Sequence, residues 1–289
     1  AAAALNGAVA LTSSLLSSRA PHKAKLPAPE TQAASASGVE WTVYAAIALS
    51  GAGALGAEVV WTRLLGLMLG STVYTFSIIL AVFLLGLGIG SATGSLLLRG
   101  RMQPRTALGC AQMLLAAAIA WTAWQLAVSL PYWPINPFLS TSPWYTFQID
   151  VARCLWAILP AALLWGASFP LALAAAPSAG GDPGRLVGRV YAANTAGAIL
   201  GALGFSIVLV PWIGTRRSEG ALIFIAVAAA LVVLGPLVWR RRTQAGAAVL
   251  AACAVAALAP AFYVPGVPGE RIAYGRRITI THNSSKVLY

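Results

Sequence analysis

Read for polarity alone, the chain is a series of long apolar runs separated by short polar or Gly/Pro-rich breaks. A helix needs about 20 apolar residues to cross a hydrocarbon core of about 30 Å. Seven runs meet that length, at about 41–66, 71–98, 106–130, 151–175, 190–213, 221–239 and 245–263. The second run carries Gly86, Gly90 and Gly94 at helical spacing, and the fifth carries Gly197, Gly201 and Gly204. Small residues four apart let two membrane helices bring their backbones together, so both faces are expected to pack on other helices. Pro160 and Pro170 are expected kink sites in the fourth run.

The breaks are equally informative. Residues 131–149 hold four prolines and frequent aromatics without a charge before Asp150, and read as an interfacial loop. Residues 19–38 are rich in Pro, Ala and Ser and read as a flexible linker after a marginal apolar segment, 1–18. A Gly/Pro/Ser loop precedes the fifth run. The last stretch, 271–289, alternates weakly and suggests a strand. The expected organisation is therefore 1–38 as apolar segment and linker, 39–263 as a polytopic helical domain, and 264–289 as the start of an extramembrane domain.

Composition agrees: 59% of residues are hydrophobic and 9% charged, with a mean hydropathy of +0.79, far from the soluble range. The net charge of +12 does not point to nucleic acid, because the basic residues sit at the ends of apolar runs. Clusters at the 19–25 linker, at Arg99, Arg101 and Arg105, at Arg185 and Arg189, and at Arg240 to Arg242 fall on one side if the runs alternate across the bilayer. The positive-inside rule makes that side cytoplasmic and puts 131–149 and the C-terminal segment outside. Arg216 and Arg217, partly offset by Glu219, are the exception. Cys110, Cys154 and Cys253 lie in apolar runs without metal-ligand spacing and read as small buried hydrophobes.

Chemistry-bearing residues are few. Glu58 is the one acid well inside a run, which makes it a functional candidate by default. It also lies about 25 Å along a helix beginning near Trp41, towards the outer interface with Trp61 and Arg63. A structural role therefore outweighs a proton relay: Glu58 and Arg63, five residues apart, point to different sides of one helix, so each is expected to meet a neighbouring helix or a headgroup. Asn194 is expected to hydrogen-bond across helices, and the three form the candidate intramembrane polar set. Asp150 and Arg153 stand one turn apart at the start of the fourth run and read as a local ion pair. With His22 in the linker and His282 in the terminal stretch, no histidine-centred site, thiolate cluster or phosphate loop can be assembled, and no catalytic residue, cofactor or metal is assigned.

Three stretches carry a family resemblance: GALGAEVVWTRLLGLMLGSTVYTFSIILAVFLLGLGIGS, GASFPLALA, and GRLVGRVYAANTAGAILGALGFSIVLVPWIGTRRS. Together they resemble bacterial membrane proteins in which a major-facilitator-like region is fused to a spermidine-synthase-like domain. The resemblance spans roughly 50–218 and implies an all-α integral membrane protein of the bacterial inner membrane. It implies about seven transmembrane helices arranged as a major-facilitator-like half bundle, with a short C-terminal β segment opening an aminopropyltransferase-like domain. The expected role is a membrane anchor or accessory region, with the lipid bilayer as partner and other membrane-protein subunits left open. Transport of a small amine, and catalysis by a domain beyond Tyr289, remain the alternatives.

Overall fold

The computed structural model describes residues 37–100, 102–133, 142–176, 183–241 and 244–266. All lie in one compact unit, 35–289. The helices are α1 (Ser37–Leu69), α2 (Val73–Leu97), α3 (Pro104–Trp124), α4 (Pro143–Ala175), α5 (Pro183–Leu203), α6 (Val210–Arg241) and α7 (Gln244–Phe262). No described residue lies in a strand, as expected of a chain whose backbone groups must be satisfied within each segment in lipid. The 1–36 segment and the 271–289 strand lie outside the described residues.

Among the described residues, six helical stretches are long and apolar enough to cross a membrane: Trp41–Leu69, Val73–Leu97, Pro104–Ser129, Pro143–Ala175, Gly184–Trp239 and Ala245–Phe262. The chain is thus built as an all-α, multi-pass membrane protein. The fifth stretch is 56 residues long and is broken at Gly214, where φ is 78° and ψ is 167°. A side chain would be strained at that backbone conformation, whereas glycine adopts it freely. The seven separate runs expected from the sequence are therefore six stretches, because 190–213 and 221–239 join across this break.

Helix order in space follows from small residues. Gly86, Gly90 and Gly94 of α2 lie against Ala162, Leu163 and Ala167 of α4, and Gly166 of α4 lies against Leu87. The rising numbers on both sides make α2 and α4 parallel. In the same way Ala48 and Ala52 of α1 meet Gly197 and Gly201 of α5, and Gly56 meets Phe205, so α1 and α5 are parallel. Beyond Gly214 the direction reverses. Early α6 (Leu222, Ile223) packs with the later half of α1 in one core cluster, and late α6 (Ala229, Val233) with Val43 and Ile47 in the other.

Several boundaries differ from expectation. Residues 143–149 are helical rather than an interfacial loop, because Pro143 occupies the first turn, where its missing N–H costs nothing. α4 continues through Pro160 and Pro170, with neighbouring helices packed about it. α3 ends in a π turn, Gln125–Ser129, and a 3₁₀ turn, Leu130–Tyr132. α5 leads into a second π turn, Gly204–Leu209. Gly204, where that turn begins, has no neighbour within 4 Å of an added Cβ, so it does not extend the face of Gly197 and Gly201. Cys154 is buried, but Cys110 and Cys253 are exposed on the bundle surface. The expectation that all three are buried hydrophobes fails because an apolar segment in a membrane protein has a lipid side as well as a core side.

Candidate functional site

The polar side chains of the bundle fall into four places. At the first, Gln112 of α3, fully buried, donates through Nε2 to Ser50 Oγ of α1 at 3.0 Å and to Ser168 Oγ of α4 at 2.8 Å. Ser168 Oγ in turn donates a hydrogen bond to Leu164 O at 2.7 Å. One amide thus ties three helices together, and each group it touches is removed from lipid.

The second place is the buried pair Asp150–Arg153 on α4. Arg153 Nη1 stands 3.7 Å from Asp150 Oδ1, and both side chains are about 1% exposed. Tyr74 of α2 donates a long hydrogen bond to Asp150 Oδ2 at 3.5 Å. Because α4 begins at Pro143, this pair lies two turns inside the helix instead of at its exposed start.

A third place is a cavity of about 320 Å³ between the α1/α5 and α2/α4 pairs. Phe83, Trp165, Phe169 and Tyr191 wall it, and Ser50, Ser91 and Asn194 add polar groups. Trp165 also stacks near Phe83 and Trp61, with ring centroids 5.7 and 5.6 Å apart. The indole N–H groups of Trp61 and Trp165 have no hydrogen-bond partner among the described residues.

The fourth is a recess of about 510 Å³ where α1 ends and α2 begins. Arg63, Thr62, Ser71, Thr72, Thr75 and Ser206 reach it over an apolar floor.

The residues singled out by sequence are spread over these places. Glu58 is half-buried on α1 and forms no hydrogen bond or ion pair with another described residue, Arg63 included. Arg63 is exposed and belongs to the recess. Asn194 belongs to the cavity, where its Oδ1 lies 2.8 Å from the position of a Cβ added to Gly51. The structure therefore does not join Glu58, Arg63 and Asn194 into one network. Trp61, expected near the outer interface beside them, is wholly buried in the aromatic cluster. Sequence reading passed over Gln112, Ser50 and Ser168 as site residues, although an isolated amide in an apolar run is itself a signal. It also left Glu219 as a loop charge, whereas Glu219 is about 2% exposed inside α6.

Among the described residues no group of three or more His, Cys, Asp or Glu is placed to hold a metal. The arrangement can hold helices together and can solvate a small guest by hydrogen bonds and aromatic faces. No protein-family model, curated protein or solved structure matches the chain.

Proposed function

We propose that this chain is the membrane-embedded anchor of a spermidine-synthase-like membrane protein, acting as a rigid scaffold within a larger membrane assembly. The observation that carries this reading is the backbone-level packing of α1 on α5 and of α2 on α4, locked across α1, α3 and α4 by Gln112. Surfaces built to slide past one another would not set glycines against facing backbone at so many points. In this reading the Gly184–Trp239 stretch crosses twice, reversing at Gly214, and the bundle makes seven crossings in a facilitator-like half. The end bearing Arg99, Arg105, Arg185 and Arg189 faces the cytoplasm of a bacterial inner membrane.

The orientation is tested by single cysteines in a background lacking Cys110, Cys154 and Cys253. An impermeant maleimide applied to intact cells is expected to label Ser142→Cys and to spare Met102→Cys. Labelling of Met102→Cys alone would invert the bundle.

Transport of a small amine is the second reading, favoured by the aromatic-walled cavity between the parallel pairs and by Glu58, which has no ion-pair partner among the described residues. The two separate in proteoliposomes. A scaffold is expected to show no uptake of radiolabelled putrescine or spermidine above protein-free vesicles under an imposed pH gradient, and Glu58→Gln is expected to assemble and melt like the parent. Robust uptake by the parent, abolished in Glu58→Gln, would replace the anchor with a proton-coupled transporter.

A further inference from the structure

The recess at the α1–α2 end has a composition that neither anchoring nor amine transport uses. Among the described residues it holds one cation and several hydroxyls, and no carboxylate lines it. At 1.5 Å per residue, Arg63 stands about 33 Å along α1 from Trp41, the level of a headgroup when Trp41 marks the opposite boundary. Its guanidinium is exposed and forms no ion pair among the described residues. Thr62 Oγ1 is shielded from solvent yet has no hydrogen-bond partner among them. The Thr72 hydroxyl oxygen accepts from the Thr75 amide at 3.4 Å and shares a hydrogen bond with the Thr75 hydroxyl at 3.4 Å, so the pair keeps one hydroxyl proton for an outside acceptor. Ser206 Oγ donates to Ala202 O at 2.6 Å. The groups with protons to give are thus Arg63, Thr62, Ser71 and the Thr72/Thr75 pair. What such a set lacks is an oxyanion.

The floor narrows the class of guest. Val59, Val73, Phe76 and Val210 line the recess beside the polar groups. Val73 and Phe76 are 82% and 45% exposed, and Ile207 and Val208 nearby on the π turn are 63% and 49% exposed. The recess therefore continues into the lipid-facing surface of α2 and of the turn after α5. A water-soluble anion would use the donors and leave this apolar surface uncovered; a phospholipid would cover both.

We propose that this recess is a phosphate-oxyanion site occupied by the headgroup of an anionic phospholipid, with Arg63 and the Thr62, Ser71 and Thr72 hydroxyls on the phosphate and the upper acyl chain along Val59, Phe76 and Val210. Arg63 meets the charge in a two-pronged geometry that lysine does not reproduce. The site stands whether the bundle anchors or transports.

The test is thermal unfolding of the whole chain purified in a neutral maltoside, titrated separately with phosphatidylglycerol, phosphatidylcholine and inorganic phosphate. Phosphatidylglycerol is expected to raise the Tm saturably, with a smaller rise for phosphatidylcholine. Arg63→Gln is expected to weaken the half-saturating concentration about tenfold or more, the usual scale for a charge-assisted hydrogen bond. Arg185→Gln, at the other end of the bundle, is expected to titrate like the parent. A rise produced by inorganic phosphate alone, and lost in Arg63→Gln, would keep the site and assign it to free phosphate. Equal titrations for parent and Arg63→Gln, or equal losses in Arg63→Gln and Arg185→Gln, would overturn the proposal. Should Arg63→Gln not purify folded, Thr62→Val with Ser71→Ala carries the same test: a several-fold weaker response supports the site, and an unchanged one removes it.

Discussion

Replacing Gly90 with alanine is expected to lower the melting temperature of the detergent-solubilised protein by about 2–12 °C, although only one methyl group is added. The added Cβ would meet the backbone carbonyl of Leu163, which cannot rotate away as a side chain could. Either α2 or α4 must shift, and overpacking of this kind costs about 1–3 kcal/mol, or about 2–4 °C per kcal/mol for a chain of this size. Gly197→Ala is expected to behave alike, because its Cβ would meet the carbonyl of Ala48. The comparison that isolates the effect is Gly88→Ala, two residues away on the same helix, where nothing lies within 4 Å. There alanine is expected to be neutral or slightly stabilising, since it is the better helix former. If Gly90→Ala and Gly88→Ala melt together, the close approach of α2 and α4 is not what holds the bundle.

A larger loss is expected from Arg153→Met. The Asp150–Arg153 pair is almost fully withdrawn from the surface, so removing the guanidinium takes from a buried carboxylate the cation 3.7 Å away, and breaking a buried pair typically costs about 3–5 kcal/mol. The Tyr74 hydroxyl softens that cost without cancelling it. Neutralising the acid as well, with Asp150→Asn on top of Arg153→Met, is expected to recover part of the lost stability, because no unpaired charge remains. The readout is the four-way cycle of melting temperatures for the parent, each single variant and the double. A double variant no more stable than Arg153→Met alone would mean that Arg153 acts on some other group.

The helical segments were legible because bilayer thickness sets their length and the chain writes that length in apolar residues. The glycines at 86, 90, 94, 197 and 201 could be picked out by spacing, yet spacing on one helix does not name its partner. That α2 lies on α4 and α1 on α5 is a fact of three dimensions. The burial of Asp150 and Arg153 was hidden by a boundary: with Pro143–Ile149 taken as loop, the pair stood at a helix start in reach of water. Gln112 was hidden differently, since Ser50 and Ser168 lie 62 and 56 residues from it in sequence and no local pattern links them. Glu58 is a different case. Isolation in an apolar run singled it out, but the structure sets it apart from Arg63 and Asn194 instead of completing a site.

The two parallel helix pairs also impose an order on how the protein can be made. A chain threaded into the bilayer from its N-terminus presents α2 and then α4 after a short interval, since Gly86 and Ala162 are 76 residues apart. The small-residue face of α1 must wait longer, because Ala48 and Gly197 are 149 residues apart. Throughout synthesis of α2, α3 and α4, then, α1 stands in the membrane with a backbone-exposing groove turned to lipid or to the insertion machinery. Its true partner arrives only when α5 is released. In that order of synthesis α2 and α4 can pair before α1 and α5, so a chain halted before α5 would hold the small-residue face of α1 without its partner.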